Sequence, residues 1–133
     1  MRHVPWKKLL RDEHDKVIGF LPQAFERRPQ EEALSVNWLE HFGANKQKNI
    51  ELCVLDLRKA RRVGKADAFG IANVGVLKQV CSENGGVKIR VSYTPNGGNP
   101  SHTGVFHLPN DDLALLDAVA ADAFVEMVKN KDL

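Results

Sequence analysis

The stretch VKIRVSY at residues 87–93 decides the fold class, because apolar and polar residues alternate along its whole length. A period of two is typical of a β-strand, whose successive side chains point to opposite faces of a sheet. The stretch TGVFHL at residues 103–108 is a second strand-like run, and a loop rich in Pro, Gly and Asn separates the two. The sequence therefore predicts an antiparallel hairpin made of residues 87–93 and 103–108.

Two longer segments, residues 46–62 and 111–129, have the periodicity of amphipathic helices. Asn45 precedes the first as an N-cap, and Asp111 and Asp112 open the second at the positive end of its dipole. The pattern predicts two long helices that supply most of the core. Their inward stripes are formed by Ile50, Cys53, Val54 and Leu57 in the first helix and by Leu113, Leu116, Ala120, Ala123 and Met127 in the second.

Shorter elements complete a single domain that spans residues 1–133. Residues 1–34, which Pro22 and Pro29 interrupt, carry the weakest pattern. The predicted fold class is α+β, with a small and mainly antiparallel sheet packed against two long helices and one or two short ones. The shorter elements are strands at residues 17–21, 34–36 and 68–72, a helix at 74–83, and a short helix that begins at the N-cap Asn37 and ends at Gly43.

Composition points to a packed domain in a reducing compartment. Apolar residues make up 43% of the chain and charged residues 27%, which are ordinary globular values. The first eight residues, MRHVPWKK, lack the apolar core of a signal peptide, and no apolar run approaches the length of a membrane span. The two cysteines, Cys53 and Cys81, fall on predicted apolar helix faces, which favours buried thiols over a disulfide. We therefore expect a cytoplasmic protein that makes no contact with membranes.

Both long helices have apolar residues outside their inward stripes, and the charge is uneven along the chain. Residues 1–65 carry 14 Lys and Arg against 9 Asp and Glu, whereas residues 66–133 carry 5 against 8. A helix that is apolar on two sides is covered twice, either by a second element of its own chain or by another chain. Cover by another chain would mean a homodimer or another protein partner. The additional apolar residues are Leu52, Leu55, Leu115 and Val119.

The loop at residues 94–104 is the first candidate site. Its glycines permit the positive φ values that aim successive backbone N–H groups at an anion. His102 could act as a general acid or base, and Ser and Thr hydroxyls could add hydrogen bonds. The opposing interpretation is a plain strand connection, for which Asn, Gly and Pro are the usual residues. The candidate ligand-binding residues are Gly97, Gly98, Ser101, His102 and Thr103.

A basic segment at residues 58–65 is the second candidate site, because it has five cations and no acid. Such a segment could bind the phosphate backbone of a nucleic acid without sequence preference. It could equally be a helix end whose cations offset the helix dipole, and a pI near 8.6 is low for a dedicated nucleic-acid domain. The candidate nucleic-acid-binding residues are Lys48, Arg58, Lys59, Arg61, Arg62 and Lys65.

No motif of established chemistry is present. The acidic and imidazole residues at 11–16 are consecutive, so few could converge on one metal ion. There is no Gly-x-Ser-x-Gly elbow, Walker loop or dinucleotide fingerprint, and no metal or cofactor is predicted. The tract NPSH at residues 99–102 is similar to tracts in small bacterial proteins, a resemblance that implies no activity.

Three hypotheses of function remain. The leading one is a non-enzymatic binding or interaction module, homodimeric in one version. The second is an enzyme acting on nucleotides or nucleic acids, in which the loop at residues 94–104 holds phosphate and His102 is the acid–base residue. The third is a phosphate-backbone binder that uses the basic segment at residues 58–65.

Overall fold

A computed structural model describes all 133 residues and shows an α+β fold. Every strand pair is antiparallel. The three α-helices are α1 (Lys46–Ala60), α2 (Val74–Gly85) and α3 (Leu113–Ala118), and short 3-10 turns connect several of the strands. The strands are β1 (Arg2–Val4), β2 (Leu9–Arg11), β3 (Val17–Phe20), β4 (Ala33–Asn37), β5 (Ala68–Ile71), β6 (Arg90–Tyr93), β7 (His102–Phe106) and β8 (Glu126–Lys129).

The strands form a β1-β5-β8 sheet, a β4-β7-β6 sheet and a β2-β3 pair. The predicted hairpin is confirmed as β6 and β7, in which Val91 lies opposite Val105. The two larger sheets meet where Met1 and Asn37 exchange two backbone hydrogen bonds of 2.7 and 2.8 Å. Beyond that point the Arg2 guanidinium bridges the gap, because it donates to Ser35 O at 2.8 Å.

Helix α1 begins and packs as its sequence predicts. The Asn45 side chain accepts a hydrogen bond from Lys48 N at 2.9 Å, which satisfies one of the free N–H groups at the helix start. The predicted stripe is buried against Phe69 and Ile71 of β5 in a small core of its own. The buried helical residues of that core are Ile50, Cys53, Val54 and Leu57.

The main core lies on the other side of the sheets. It is built from the inner faces of β4 and β7, from α2 and α3, and from the 3-10 turn at Pro22–Phe25. Phe25 is completely buried there and stacks on Phe124 with ring centroids 4.6 Å apart. Residues of α2 and α3 pack in this core against the β4-β7-β6 sheet.

The predicted helix at residues 111–129 is wrong in its second half. Helix α3 ends at Ala118, a π-helical turn follows at Val119–Ala123, and residues 126–129 form β8. The reason is that β5 is buried along its whole length, so both of its edges need strand partners. β1 pairs with one edge and β8 with the other, in place of the extra helical turns.

Asn37 is not a helix N-cap, contrary to the prediction. It is the buried last residue of β4, and the short helix after it is a 3-10 turn at Leu39–Phe42. That turn ends, as predicted, at Gly43, whose φ of 66° lies in the left-handed region that favours glycine. Residues 1–34, where the sequence pattern was weakest, contain β1, β2, β3 and two 3-10 turns.

Candidate functional site

A cleft of about 780 Å³ lies against the inner face of the β4-β7-β6 sheet. Fourteen of its 21 lining residues are hydrophobic. The sheet forms one wall, and the opposite wall is built from the end of β5, the first turns of α2 and the segment before β8. The principal apolar residues of the two walls are Val36, Val91, Val105, Ile71, Val74, Leu77, Phe124 and Val125.

Two aromatic side chains stand at the rim of the cleft and remain largely open to solvent. Trp38 is 45% exposed and Tyr93 48%, and their ring centroids lie 5.5 Å apart in an edge-to-face arrangement. The Tyr93 hydroxyl donates to Pro100 O at 2.7 Å, and Trp38 N donates to Ser101 O at 2.9 Å. These bonds hold the aromatic pair in place without covering it.

The polar residues of the cleft are few and mostly bonded within the chain. Asn49 both donates to and accepts from the backbone of Ala44. At the rim, Lys46 Nζ lies 2.6 Å from Glu126 Oε2, and both side chains are exposed. Helix α2 begins in the cleft wall, so the positive end of its dipole lies there.

The loop at residues 94–104 does not bring its predicted ligand-binding residues together. Gly97 and Gly98 are exposed at the tip, and neither has the positive φ that the predicted anion nest requires. Ser101 is completely buried, where its hydroxyl accepts from Asn37 Nδ2 at 2.8 Å. Thr103 is also buried and donates to Ser101 O at 3.2 Å. The Ser101 hydroxyl therefore serves the interior of the chain, whereas Thr103, on the inner face of the sheet, also lines the cleft.

His102 lies on the other, outer face of the β4-β7-β6 sheet and is half-buried. Its Nδ1 is 2.8 Å from Thr94 O and 2.9 Å from Thr94 Oγ1. Its Nε2 is 3.1 Å from the hydroxyl of Ser35, a residue of β4 that is also half-buried. Sequence reasoning missed Ser35, since 67 positions separate it from His102 and only the strand register makes them neighbours.

The basic candidate residues are all exposed. Lys48 lies ten residues before Arg58, which is about 15 Å along a helix axis. Arg58 donates to Asn130 Oδ1 at 2.7 Å, and Lys59 lies 3.9 Å from Asp56. Of the six candidate cations, those without an ion pair or side-chain hydrogen bond are Lys48, Arg61, Arg62 and Lys65.

The four predicted interface residues lie in different environments. Leu115 and Val119 are completely buried in the main core, so they are not available to a second chain. On α1, Leu52 is half-buried and Leu55 is 50% exposed. A single exposed leucine is ordinary for a protein surface.

Both thiols are buried and free. Burial raises the pKa of Cys53 to about 11, although the hydroxyl of Ser101 lies 4.0 Å from its sulfur. Burial also raises the pKa of Cys81. Neither thiol is therefore poised as a thiolate nucleophile.

The remaining classes of site receive no support. No group of three or more His, Cys, Asp or Glu side chains is placed to hold a metal ion. No helix has the length and apolar character needed to cross a membrane. Comparisons of the chain with family models, with curated proteins and with solved structures found no match.

Proposed function

We propose that this chain is a binding module whose cleft takes a small, planar and largely apolar molecule. The observation that carries the proposal is the exposed pair Trp38 and Tyr93 at the rim of an apolar cleft of about 780 Å³. Small-molecule sites are concave, mostly apolar and range over about 300–1,000 Å³, with few polar groups. The cleft has each of these properties.

The aromatic pair favours a planar ligand. Stacking or edge-to-face contact between aromatic rings contributes about 0.5–1.5 kcal/mol beyond the burial of area. Trp38 and Tyr93 are about half exposed, although the His41 ring also lies near both, with centroids 6.1 and 5.9 Å away. A flat ligand resting on these rings would cover apolar surface that the chain itself leaves in water.

The charges around the cleft are of both signs and do not select an ionic group on that ligand. Helix α2 contributes the positive end of its dipole through the wall that contains Asn73 and Val74. The negative charge of Glu126 is matched by Lys46 at 2.6 Å, whereas Glu40, which also lines the cleft, has no ion-pair partner. An apolar ring system is therefore the ligand class with the best fit.

The test uses the aromatic sulfonate 1-anilinonaphthalene-8-sulfonate as a probe and compares two variants of α2. Val74 lines the cleft, whereas Val76, on the same helix and similarly exposed, does not. Val74→Glu places a carboxylate in the apolar wall, and Val76→Glu adds the same charge outside it. We expect native protein to bind the probe at one site, at least tenfold more weakly in Val74→Glu and within twofold of native in Val76→Glu.

Thermal melts of the three proteins show whether the probe reports the folded cleft. Equal binding by both variants, or the absence of a saturable site in the native protein, would refute the proposal. An organic extract of protein purified without denaturation, analysed by mass spectrometry, would then identify any natural ligand that has the expected planar and apolar character.

The alternative modes of binding have less structural support. Of the residues predicted for self-association, Leu55 of α1 is the one that is largely exposed, since Leu115 and Val119 belong to the core of the chain itself. Nucleic-acid binding would rest on Arg61, Arg62 and Lys65, and the exposed Trp6 is held near this segment by a hydrogen bond to Asp67. The buried, free thiols are consistent with a reducing compartment such as the cytoplasm, where we propose that the module acts.

A further inference from the structure

The outer face of the β4-β7-β6 sheet, opposite the cleft, carries a chain of hydrogen bonds that runs from Ser35 through His102 to Thr94. We infer that Ser35 is an activated nucleophile, with His102 as its general base, and that this pair cleaves carboxylic esters with a short acyl group. A hydroxyl nucleophile, a base within hydrogen-bond reach and a third group that orients the base are the parts such chemistry requires. This activity is independent of the proposed ligand cleft.

The neighbours of the imidazole determine which nitrogen carries the proton. Thr94 O, at 2.8 Å from Nδ1, is a carbonyl oxygen and can only accept, so Nδ1 is the protonated nitrogen of the neutral ring. Nε2 then has a free lone pair. It therefore accepts a hydrogen bond from the Ser35 hydroxyl at 3.1 Å, which is the arrangement that a general base needs.

The position opposite Ser35 on the neighbouring strand is covered by the Phe106 ring and Ala33. Directly opposite Ser35 on β7 is Gly104, which has no side chain. Phe106 and Ala33 border this glycine, since a Cβ added to it would lie 2.8 Å from the Phe106 ring and 3.0 Å from Ala33 Cβ. These half-buried groups provide a small apolar surface next to the hydroxyl, which suits a short acyl chain.

The same face has one cation near its apolar part. The Arg90 guanidinium lies 4.3 Å from the centroid of the Phe106 ring, and Arg90 is paired with Phe106 in the sheet. One cation stacked on a ring offers little to a phosphoryl group, which needs several donors around its oxygens. A carboxylic ester, which develops one negative charge on one oxygen, is the better match.

The reaction consumes an ester and water. Ser35 Oγ bonds to the carbonyl carbon while its proton passes to His102 Nε2. The tetrahedral intermediate collapses, the bond to the alcohol oxygen breaks, and the proton on Nε2 passes to the departing alkoxide. Water then attacks the acyl-Ser35 carbonyl carbon, His102 takes its proton and returns it to Ser35 Oγ as the acid leaves.

The test is reaction of the whole chain with p-nitrophenyl acetate, followed by release of nitrophenol and by mass spectrometry of the protein. We expect one acetyl group on Ser35 and a release rate at least tenfold lower in Ser35→Ala and in His102→Gln. The glutamine can still hydrogen-bond to Ser35 but cannot take up its proton. Ser92→Ala is the matched control, because Ser92 shares the outer face and makes no hydrogen bond to His102.

Acetylation confined to lysines would overturn the inference, as would equal release rates in native protein, Ser35→Ala and His102→Gln. An equal loss of rate in Ser92→Ala would also overturn it, since the effect would then belong to the whole sheet face. Thermal melts establish that each variant is folded. A Ser35→Cys variant, which keeps a nucleophile beside His102, should be acetylated at position 35, and its failure to react would also count against the inference.

Discussion

Asn37 Nδ2 donates to Asn99 Oδ1 at 2.6 Å and so joins the end of β4 to the loop ahead of β7. The same amide donates to Ser101 Oγ at 2.8 Å, and all three residues are buried. Because the loop is held at its base, its exposed tip can vary while His102 and Thr94 keep their places. The amide thus positions both the aromatic rim of the cleft and the outer face that contains Ser35.

Removing this amide should destabilise the protein. Asn37→Ala leaves two buried acceptors, Asn99 Oδ1 and Ser101 Oγ, without their donor. We expect the free energy of unfolding to fall by about 1–3 kcal/mol, the usual cost of an unsatisfied buried polar group. Urea denaturation measures the change. Asn96→Ala, at the exposed tip of the same loop, should change it by less than about 0.5 kcal/mol, and a similar loss in both variants would contradict this role of Asn37.

The alternation of apolar and polar residues explains how much of the hairpin could be predicted. The runs at 87–93 and 103–108 were sufficient to predict the hairpin, because the period of two is a local signal. The same period could have separated Thr103 from His102, since adjacent strand residues face opposite sides. No local pattern predicts that β4 pairs with β7. This pairing brings Ser35 to the imidazole of His102 and buries Asn37. Those contacts depend on strand order and register.

His3 and Asp67 predict two windows of acid sensitivity. His3 Nε2 lies 2.8 Å from Asp67 Oδ2, and burial lowers the pKa of His3 below its ordinary 6.5 although Asp67 opposes this. Burial alone would raise the pKa of Asp67, but hydrogen bonds from His3 and from the backbone N–H groups of Gly64 and Trp6 lower it below 3.8. Because the pKa values of both groups are lower in the folded protein, the unfolded chain binds protons at these two groups more readily.

His3 and Asp67 should therefore each contribute one step of lost stability as the pH is lowered, beside the loss from the Met1 amino group, whose pKa burial lowers to about 6. The first step begins below the ordinary His pKa and ends at the lowered pKa of His3, and the second follows as pH falls from the ordinary Asp pKa through that of Asp67. His3→Gln should remove the first step and Asp67→Asn the second. Urea denaturation at several pH values from neutral to about 3 measures both. A stability that rises on acidification through the first window would contradict the direction for His3.

The buried thiols should be nearly inert in the folded protein. Burial raises the pKa of Cys53 to about 11, so the thiolate fraction at neutral pH is very small. We expect iodoacetamide to alkylate native protein at least a hundredfold more slowly than urea-unfolded protein. Cys53→Ala serves to assign the sites by mass spectrometry. Rapid alkylation of Cys53 in folded protein would show that α1 opens readily from the sheet.

The last third of the chain shows where helix periodicity fails. Residues 113–118 form the predicted helix, but Met127 falls on the helical stripe only by coincidence of spacing. The sequence at 126–129 is equally compatible with a strand, and tertiary pairing decides because the buried β5 has a free edge. The sequence could not tell whether Leu115 and Val119 face another chain or the chain itself. They are buried by the chain itself, because several of its elements cover α3 from different sides.

Gly104 offers a further test of the outer face. A Cβ at this position would lie 2.8 Å from the Phe106 ring and 3.0 Å from Ala33 Cβ. The ring can rotate away at the cost of its contact with Arg90, but Ala33 Cβ is fixed to the backbone of the paired strand. We expect Gly104→Ala to lower the free energy of unfolding by about 1–3 kcal/mol, the usual cost of overpacking.

Gly97→Ala is the matched control for Gly104→Ala. Gly97 has open space around its Cβ position and no positive φ, so alanine fits there without strain. We expect the control to be neutral or to stabilise the fold by up to about 1 kcal/mol, because alanine reduces the conformational entropy of the unfolded chain. A Gly104→Ala variant as stable as Gly97→Ala would mean that β4 and β7 lie farther apart than described. In that case the hydrogen bond from Ser35 to His102 would also be longer than 3.1 Å.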